Sequence, residues 1–385
     1  MKSVWLIHNN IPPYRVPLFA EIAKRADFDF TVVLTAPKCR HRPHWRPRVE
    51  TLPFQVVTTR GLNIGLSDAG SLSISLGLLP SLIRNRPGIV ICSGFGLSTL
   101  MVFVYASTFR RPYIVWSEST PVTEGLRRIG RLRQWVRKLL ARHASAFIDA
   151  GMLAREYIQS MLPAKSQTPF FRSYNCVDGS LFSSDSAHDS GSKSGSSPHS
   201  ILFVGRLNQN KGIPMLLDVY HDLLEDSENV IELLLIGDGP LRTMVEKFRQ
   251  SYKSAKIKML GQVPYEQVAD YYLKCDVFVL LSLSDCNPLV ILEALHSGIP
   301  IICTNRAGNA PDFIVPGENG YIVDPTDKTS IVTCIREVLG WDSEKRLNAA
   351  RVSQRLVAAA NYSTSAQAFL DACHTVIRSR AQDRL

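Results

Sequence analysis

Two carboxylates and two cations in the second half of this chain sit where they could handle a charged, hydroxyl-rich ligand. Asp285 and Glu293 lie eight residues apart in SDCNPLVILEALHSGIP (284–300), separated by Pro288 and four consecutive aliphatic residues. A glutamate among leucine and isoleucine is costly unless something hydrogen-bonds it, and a polyhydroxyl ligand is one such partner. Ahead of it, ILFVGRLNQNKG (201–212) puts Arg206 directly after a strand-like run and Lys211 just before a helix-like one. Gly205 and Gly212 permit close backbone approach there. An arginine fork and a lysine point charge at one sheet edge suit a diphosphate. The spacing predicts a helix with Asn287 as N-cap and Pro288 at its first position, ended by Gly298 and Pro300. Its exposed N–H groups and dipole form an anion site. Taken alone, Asp285 as a loop cap and Glu293 as an ion-paired helix residue fit the same stretch equally well.

The elements that must position these residues are legible as apolar runs. ILFVG, IELLLIG, KIKMLG, VFVLL and IPIIC alternate with helix-length segments in the second half, and SVWLI, FTVVL, GIVICS, PYIVW and SAFIDA do so in the first. Continuous apolar strands alternating with helices imply parallel sheets covered on both faces, so the expected fold class is α/β with two doubly wound, Rossmann-like domains. Ligands of such sheets bind beyond the carboxyl ends of the strands. SSDSAHDSGSKSGSSPHS (183–200) has nothing apolar larger than alanine and reads as a linker or loop. The expected division is therefore residues 1–182, the linker 183–200, a second domain 201–363 and a terminal helix over 364–385.

Charge divides at the same place. Residues 1–182 hold 24 Lys and Arg against 10 Asp and Glu, and the remainder 20 against 24, which accounts for the net +10. A basic domain favours an anionic partner. The eight cysteines show no paired spacing, several lie in apolar runs, and buried free thiols in a reducing compartment follow. The opening MKSVWLIHNN turns polar too soon for a signal peptide. Residues 89–109 are uncharged over a bilayer-spanning length, but the internal SGFGLST predicts a strand, a glycine loop and a buried helix instead. His41, His44, His188 and His199 lack partners at metal-ligand spacing.

FVGRLNQNKG, LLIGDGPLR, LGQVPYEQVADYYLKCDVFVLLS, DCNPLVILEALHSGIPII and VPGENGYIVDP occur in the order found in GT-B glycosyltransferases, and the chain most resembles retaining family 4 over about residues 201–325. The resemblance implies two Rossmann-like domains facing a cleft. It makes Asp285 and Glu293 an E-x7-E pair whose first member meets donor-sugar hydroxyls and whose second meets the ribose. Asp285 is one methylene shorter than the family's glutamate. Arg206 and Lys211 match the pair that neutralises the donor diphosphate, and Leu289 and Val290 match positions whose backbone N–H groups meet phosphate. With Gly205, Asn287 and Pro288 these form the expected donor site. A departing diphosphate needs about two units of charge compensation, which Arg, Lys and a helix N-terminus supply, so no metal and no cofactor is expected.

Further upstream the resemblance thins. SYNCVDGSLF keeps Asn175, Val177, Asp178 and Phe182 but has Cys176 where the family has glycine. HNNIPPYRVPLF, stiffened by Pro12 and Pro13, is expected to present Tyr14 and Arg15 on the acceptor side; a rigid turn with Tyr14 packed on the next helix fits equally. Glu118, six residues after Pro112, stands where the family commonly has a histidine near the anomeric carbon. It could hydrogen-bond the donor sugar, accept a proton or stabilise oxocarbenium-like charge; it could instead serve only as a helix N-cap partner. In GLRRIGRLRQWVRKLLARHA, Leu126, Ile129, Leu132, Val136, Leu139 and Leu140 recur at helical spacing, with Arg127, Arg128, Arg131, Lys138 and Arg142 between them. The default is a core helix with a basic outer face; the sharper reading is that this face and residues 39–48 meet anionic lipid or a lipid-linked pyrophosphate. No base-stacking platform accompanies the charge, so nucleic acid is not the expected partner.

These readings converge on a cytoplasmic retaining glycosyltransferase, peripheral on the inner membrane face if the basic half meets lipid. It would move a sugar from a nucleotide-diphosphate sugar to a carbohydrate or lipid-linked acceptor in surface polysaccharide or glycolipid synthesis. A GT-B nucleotide-sugar epimerase or phosphorylase, and a non-catalytic basic protein binding membrane or nucleic acid, remain open alternatives.

Overall fold

A computed structural model of the chain describes residues 3–35, 51–67, 70–125, 130–182, 198–225 and 230–382. The chain divides into two compact units, Met1–Cys176 with Ala360–Leu385, and Val177–Ala359.

The first unit carries β1 (Ser3–His8), β2 (Asp29–Leu34), β3 (Gln55–Thr58), a hairpin of β4 (Leu62–Ser67) and β5 (Gly70–Ile74), β6 (Ile89–Ser93), β7 (Tyr113–Ser117), β8 (Ala146–Asp149) and β9 (Phe170–Arg172). Between them run α1 (Val16–Arg25), α2 (Leu78–Asn85), α3 (Leu97–Phe109), α4 (Pro121–Gly125), α5 (Arg131–His143) and α6 (Met152–Gln159). Seven strands form a parallel sheet in the order β3-β2-β1-β6-β7-β8-β9. Strand alternation sorts side chains onto two faces. Val4, Leu6, Ile91, Ile114 and Trp116 pack with Phe19 of α1 and Phe369, whereas Trp5, Ile7, Val90, Cys92 and Val115 pack with Leu82, Val102, Tyr105 and Leu140 on the other side.

The second unit carries β10 (His199–Val204), β11 (Ile231–Ile236), β12 (Lys256–Gly261), β13 (Val277–Leu280), β14 (Ile301–Thr304) and β15 (Gly320–Val323). Its helices are α7 (Ile213–Glu225), α8 (Arg242–Ser251), α9 (Tyr265–Lys274), α10 (Leu289–Ser297), α11 (Ala310–Phe313), α12 (Lys328–Leu339) and α13 (Ser343–Val357). All strand pairs are parallel and the order is β12-β11-β10-β13-β14-β15. The winding reverses between β10 and β13, and such a reversal leaves a crevice beyond the strand ends because the flanking connections leave in opposite directions. The last helix, α14 (Tyr362–Gln382), buries Ala366, Phe369, Leu370, Cys373 and Val376 in the core of the first unit.

Several details differ from expectation for identifiable reasons. Strands β3, β9 and β15 carry no long apolar run: β3 is a largely exposed edge strand and β9 has three residues. Residues 89–109, by contrast, form β6, a glycine turn and α3 as expected, and among the described residues no helix is long and apolar enough to cross a membrane. The unit division falls between Cys176 and Val177 and again before Ala360, not at the Ser-rich stretch. Most of that stretch (183–197) lies outside the described residues, as do residues 39–48. Helix α10 begins at Leu289 with Pro288 as N-cap and no side-chain cap, so Asn287 is not the N-cap and Pro288 is not the first helical residue. Gly298 closes it with φ 72°.

Gly212 couples fold to site. It sits at φ 72° between β10 and α7, and a Cβ there would lie 1.9 Å from the Leu281 carbonyl oxygen. Gly212→Ala should therefore cost about 2 kcal/mol or more, a fall in thermal midpoint of roughly 4–8 °C. An unchanged melting curve would show that the loop has room the geometry denies it.

Candidate functional site

The loops leaving β10 and β13 are built as one piece. Asn208 caps the turn that follows Arg206, its side-chain oxygen accepting from Lys211 N–H at 2.9 Å. The Leu283 N–H donates to the Asn210 carbonyl at 2.8 Å, tying the two loops across the crevice between their strands. The Lys211 ammonium then donates directly to an Asp285 carboxylate oxygen, with both side chains about one-fifth exposed. The Asp285 backbone is held in turn by the loop after β14: its N–H donates to the Arg306 carbonyl and its own carbonyl accepts from Gly308 N–H at 2.8 Å. Arg206 lies on the same strand-end loop and is exposed, and Gly205 before it has φ 154°. The first turn of α10 has no side-chain cap, and its Leu289 and Val290 N–H groups have no intrahelical acceptor. Pro288 is buried, with its carbonyl accepting from the Asn309 amide at 3.1 Å.

Glu293 is buried, 6 % exposed, on the second turn of α10. It does not look out into solvent. The Tyr272 hydroxyl on α9 donates to its Oε2 at 3.0 Å, and Tyr272 packs edge-on against Phe182, which also meets Tyr265. Burial pushes the Glu293 carboxyl up to about 7, while hydrogen bonds from Tyr272 and Tyr265 and the charge of Lys211 pull the other way. The carboxylate is thus held near its titration point by opposing effects, with Lys211 close enough to influence it.

In the first unit, the loop after β1 does not present Arg15 to solvent. Arg15 is 2 % exposed, its guanidinium 4.0 Å over the Trp116 ring, and it donates directly to Glu118 at the end of β7. Tyr14 is half-buried beside it. His8, at the end of β1, stacks near Trp116 and is held neutral, its pKa lowered to about 3 by burial and by the Arg15 charge. The solvent-facing member of this cluster is Glu118, about 30 % exposed. Capping of α4 falls to Thr120 and Thr123, which hydrogen-bond each other, and not to Glu118. Cys176 is buried, with its Sγ 3.3 Å from Ser365 Oγ.

Among the described residues, His221, Asp222 and Glu225 on α7 are one group with metal-ligand spacing. They lie toward the end of α7 remote from its strand-end loop, and Asp222 already pairs with Lys328 at 2.7 Å. Tyr272, Asn309 and the 306–308 loop were not singled out in the sequence. Tyr272 is hidden in an unremarkable helix, whereas TNRAGNAP, a glycine- and asparagine-rich run directly after a strand, carried a usable signal.

Residues 186–354 match the model of the family described as glycosyl transferases group 1. The match lies within the second unit, Val177–Ala359. A 149-residue stretch is 32 % identical to sulfoquinovosyl transferase SQD2 of Arabidopsis thaliana, covering 38 % of this chain and 27 % of that protein. Another of 175 residues is 30 % identical to a D-inositol 3-phosphate glycosyltransferase of Corynebacterium diphtheriae, covering 44 % of this chain and 40 % of that one. The chain thus spans less than half the length of either relative. Over 97 % of its length it superposes on Anabaena Alr3699/HepE, solved in complex with UDP, with TM-score 0.71, 19 % identity and all of that chain covered. The fold is GT-B.

The Glu293 environment carries a pH signature. Its pKa is raised in the folded protein from 4.5 to about 7, so the stability it contributes is fully present below pH 4.5 and is lost as pH rises through 7. That loss amounts to about 3 kcal/mol. Glu293→Gln, which keeps an oxygen to accept from Tyr272, should flatten this part of the stability–pH curve measured by urea unfolding between pH 5 and pH 8. An equally steep decline in the variant would assign the effect elsewhere.

Proposed function

We propose that the protein is a glycosyltransferase that moves a sugar from a nucleotide-diphosphate sugar to a hydroxyl of a carbohydrate or lipid-linked acceptor, with retention at the anomeric carbon and without a divalent metal. The observation that carries this reading is the Lys211–Asp285 pair at the strand-order reversal, on the strand-end loops that also carry Arg206 and lead into the uncapped start of α10. A diphosphate competes with Asp285 for Lys211, gains the first-turn N–H groups of Leu289 and Val290, and meets Arg206 as a second cation. Asp285, released from Lys211, then accepts hydrogen bonds from the sugar. Glu293 accepts from the ribose hydroxyls, which stabilise its ionised form against burial. Gly205, Asn287 and Pro288 shape the loops around the diphosphate.

Departure of the nucleoside diphosphate leaves positive character on the anomeric carbon and negative charge on the leaving oxygen. Arg206, Lys211 and the helix dipole act on the second of these, where a metal ion would otherwise act. In the first unit Tyr14 and Glu118 are the proposed acceptor-side groups, with Arg15 as the residue that holds Glu118 in place. The Glu118 carboxylate suits a hydrogen bond from an acceptor hydroxyl or stabilisation of the developing oxocarbenium charge. The relative named as a D-inositol 3-phosphate glycosyltransferase supports a polar, hydroxyl-bearing acceptor.

A thermal-shift screen of nucleoside diphosphates, beginning with UDP, should raise the midpoint of the wild-type protein. Lys211→Ala and Arg206→Ala should each weaken that nucleotide about tenfold or more. Turnover of the matching sugar nucleotide should persist in EDTA, and NMR of the product should show the donor's anomeric configuration. Unchanged nucleotide affinity in both variants would overturn the diphosphate assignment, and donor turnover independent of any acceptor would point to an epimerase.

A further inference from the structure

Helix α5 departs from the core helix its sequence predicts. Val136, Leu139 and Leu140 face inward as expected, and Ala141 is buried with them, but Leu132 is 74 % exposed and Trp135 is 61 % exposed. Among the described tryptophans the other three, Trp5, Trp116 and Trp341, are buried. Arg131, Trp135, Lys138 and Arg142 recur at i, i+4, i+7 and i+11 and so share one stripe, with Leu132 one turn from Trp135 on its flank. All of these side chains are exposed, as is Arg133, and α5 contains no acidic residue. The one arginine of α5 that is buried, Arg137, is paired with buried Glu124 at 2.6 Å and with the Tyr157 hydroxyl at 2.6 Å, so it anchors the helix from its inner side.

We infer that this outer face of α5 is a membrane-docking surface for a bilayer containing anionic lipid. The charge argues for the occupant: the face is uniformly basic, and it belongs to the half of the chain with 24 Lys and Arg against 10 Asp and Glu. Lysine and arginine are drawn to the negative headgroup layer, while an exposed tryptophan and leucine on the same face enter the boundary between headgroups and acyl chains. A protein partner of matching shape would bury Trp135 as well, but would need an acidic surface to meet four exposed basic residues. A nucleic acid would meet the cations and leave Leu132 without an apolar contact. This docking names where a lipid-linked acceptor would be approached, yet vesicle binding is read without donor or acceptor. Either proposal can therefore fail alone.

The test is sedimentation of the full chain with vesicles of phosphatidylcholine alone, or with about a third phosphatidylglycerol. Wild-type protein should bind the anionic vesicles only, release at high salt, and show a blue shift of tryptophan emission. Leu132→Ser/Trp135→Ser and Arg131→Gln/Lys138→Gln should each weaken binding about tenfold or more, and the first should also abolish the shift. Because these side chains are exposed, thermal midpoints should match wild type, which separates lost docking from lost folding. Equal vesicle binding by both double variants would overturn the inference. So would absence of binding at low salt, a concentration-dependent dimer dispersed by Trp135→Ser, or oligonucleotide binding in place of vesicle binding.

Discussion

The second unit depends on how two strand-end loops share the space between β10 and β13. Parallel neighbours whose connections leave in opposite directions would stand apart there, but the Leu283 N–H to Asn210 carbonyl bond and the approach of Gly212 to the Leu281 carbonyl draw the loops together. Only a residue without a side chain fits at that approach, and only a left-handed backbone makes the turn. Once the loops are joined, Lys211 and Asp285 are in hydrogen-bonding reach although 74 residues separate them. The chemistry proposed for the site is a consequence of that closure, because each charge is held by the other until a ligand offers both of them something better.

Burial then decides which charges remain available. Glu293 and Arg15 are both deeply buried, and each has a principal partner: Tyr272 for the acid, Glu118 for the guanidinium. The outcomes differ because the two groups start from different proton affinities. Burial moves a carboxyl toward neutral pH, where modest interactions change its state, whereas a guanidinium starts so far above neutrality that it stays charged and serves as a fixed anchor. Glu293 is accordingly the tunable group of the second unit, and Glu118 is the solvent-facing end of an immobile pair in the first.

Much of this was readable in advance, and the failures share one cause. The parallel sheets, the strand-end position of Arg206, Lys211 and Asp285, and the helix carrying Glu293 follow from apolar runs and from glycine, which are local signals. Orientation is not local. Nothing in IPPYRVP distinguishes an arginine facing solvent from one lying on Trp116, a residue 101 positions away. Nor does LVILEAL say that Glu293 meets Tyr272 on the preceding helix. Asn287 is a favourable cap by type, yet the backbone turns at Pro288 and the N-cap of α10 falls one residue later. Short strands such as β9 and β15 are stabilised by the sheet they join, so their own composition carries little trace of them.

The same limit explains α5. Periodicity assigned Leu132 to the core because it lies in phase with Leu139 and Val136, yet a helix turns 100° per residue and its buried arc is only as wide as the surface that covers it. Arg137 occupies part of that arc: the buried pair with Glu124 needs room for a guanidinium and a tyrosine hydroxyl. Breaking such a pair leaves an uncompensated buried charge, at a cost of roughly 3–5 kcal/mol, which exceeds the roughly 1.5–3 kcal/mol gained by burying one leucine. The electrostatic requirement on the inside of α5 therefore outweighs the burial of Leu132, and the apolar residues it displaces outward are the ones that lie among the basic stripe.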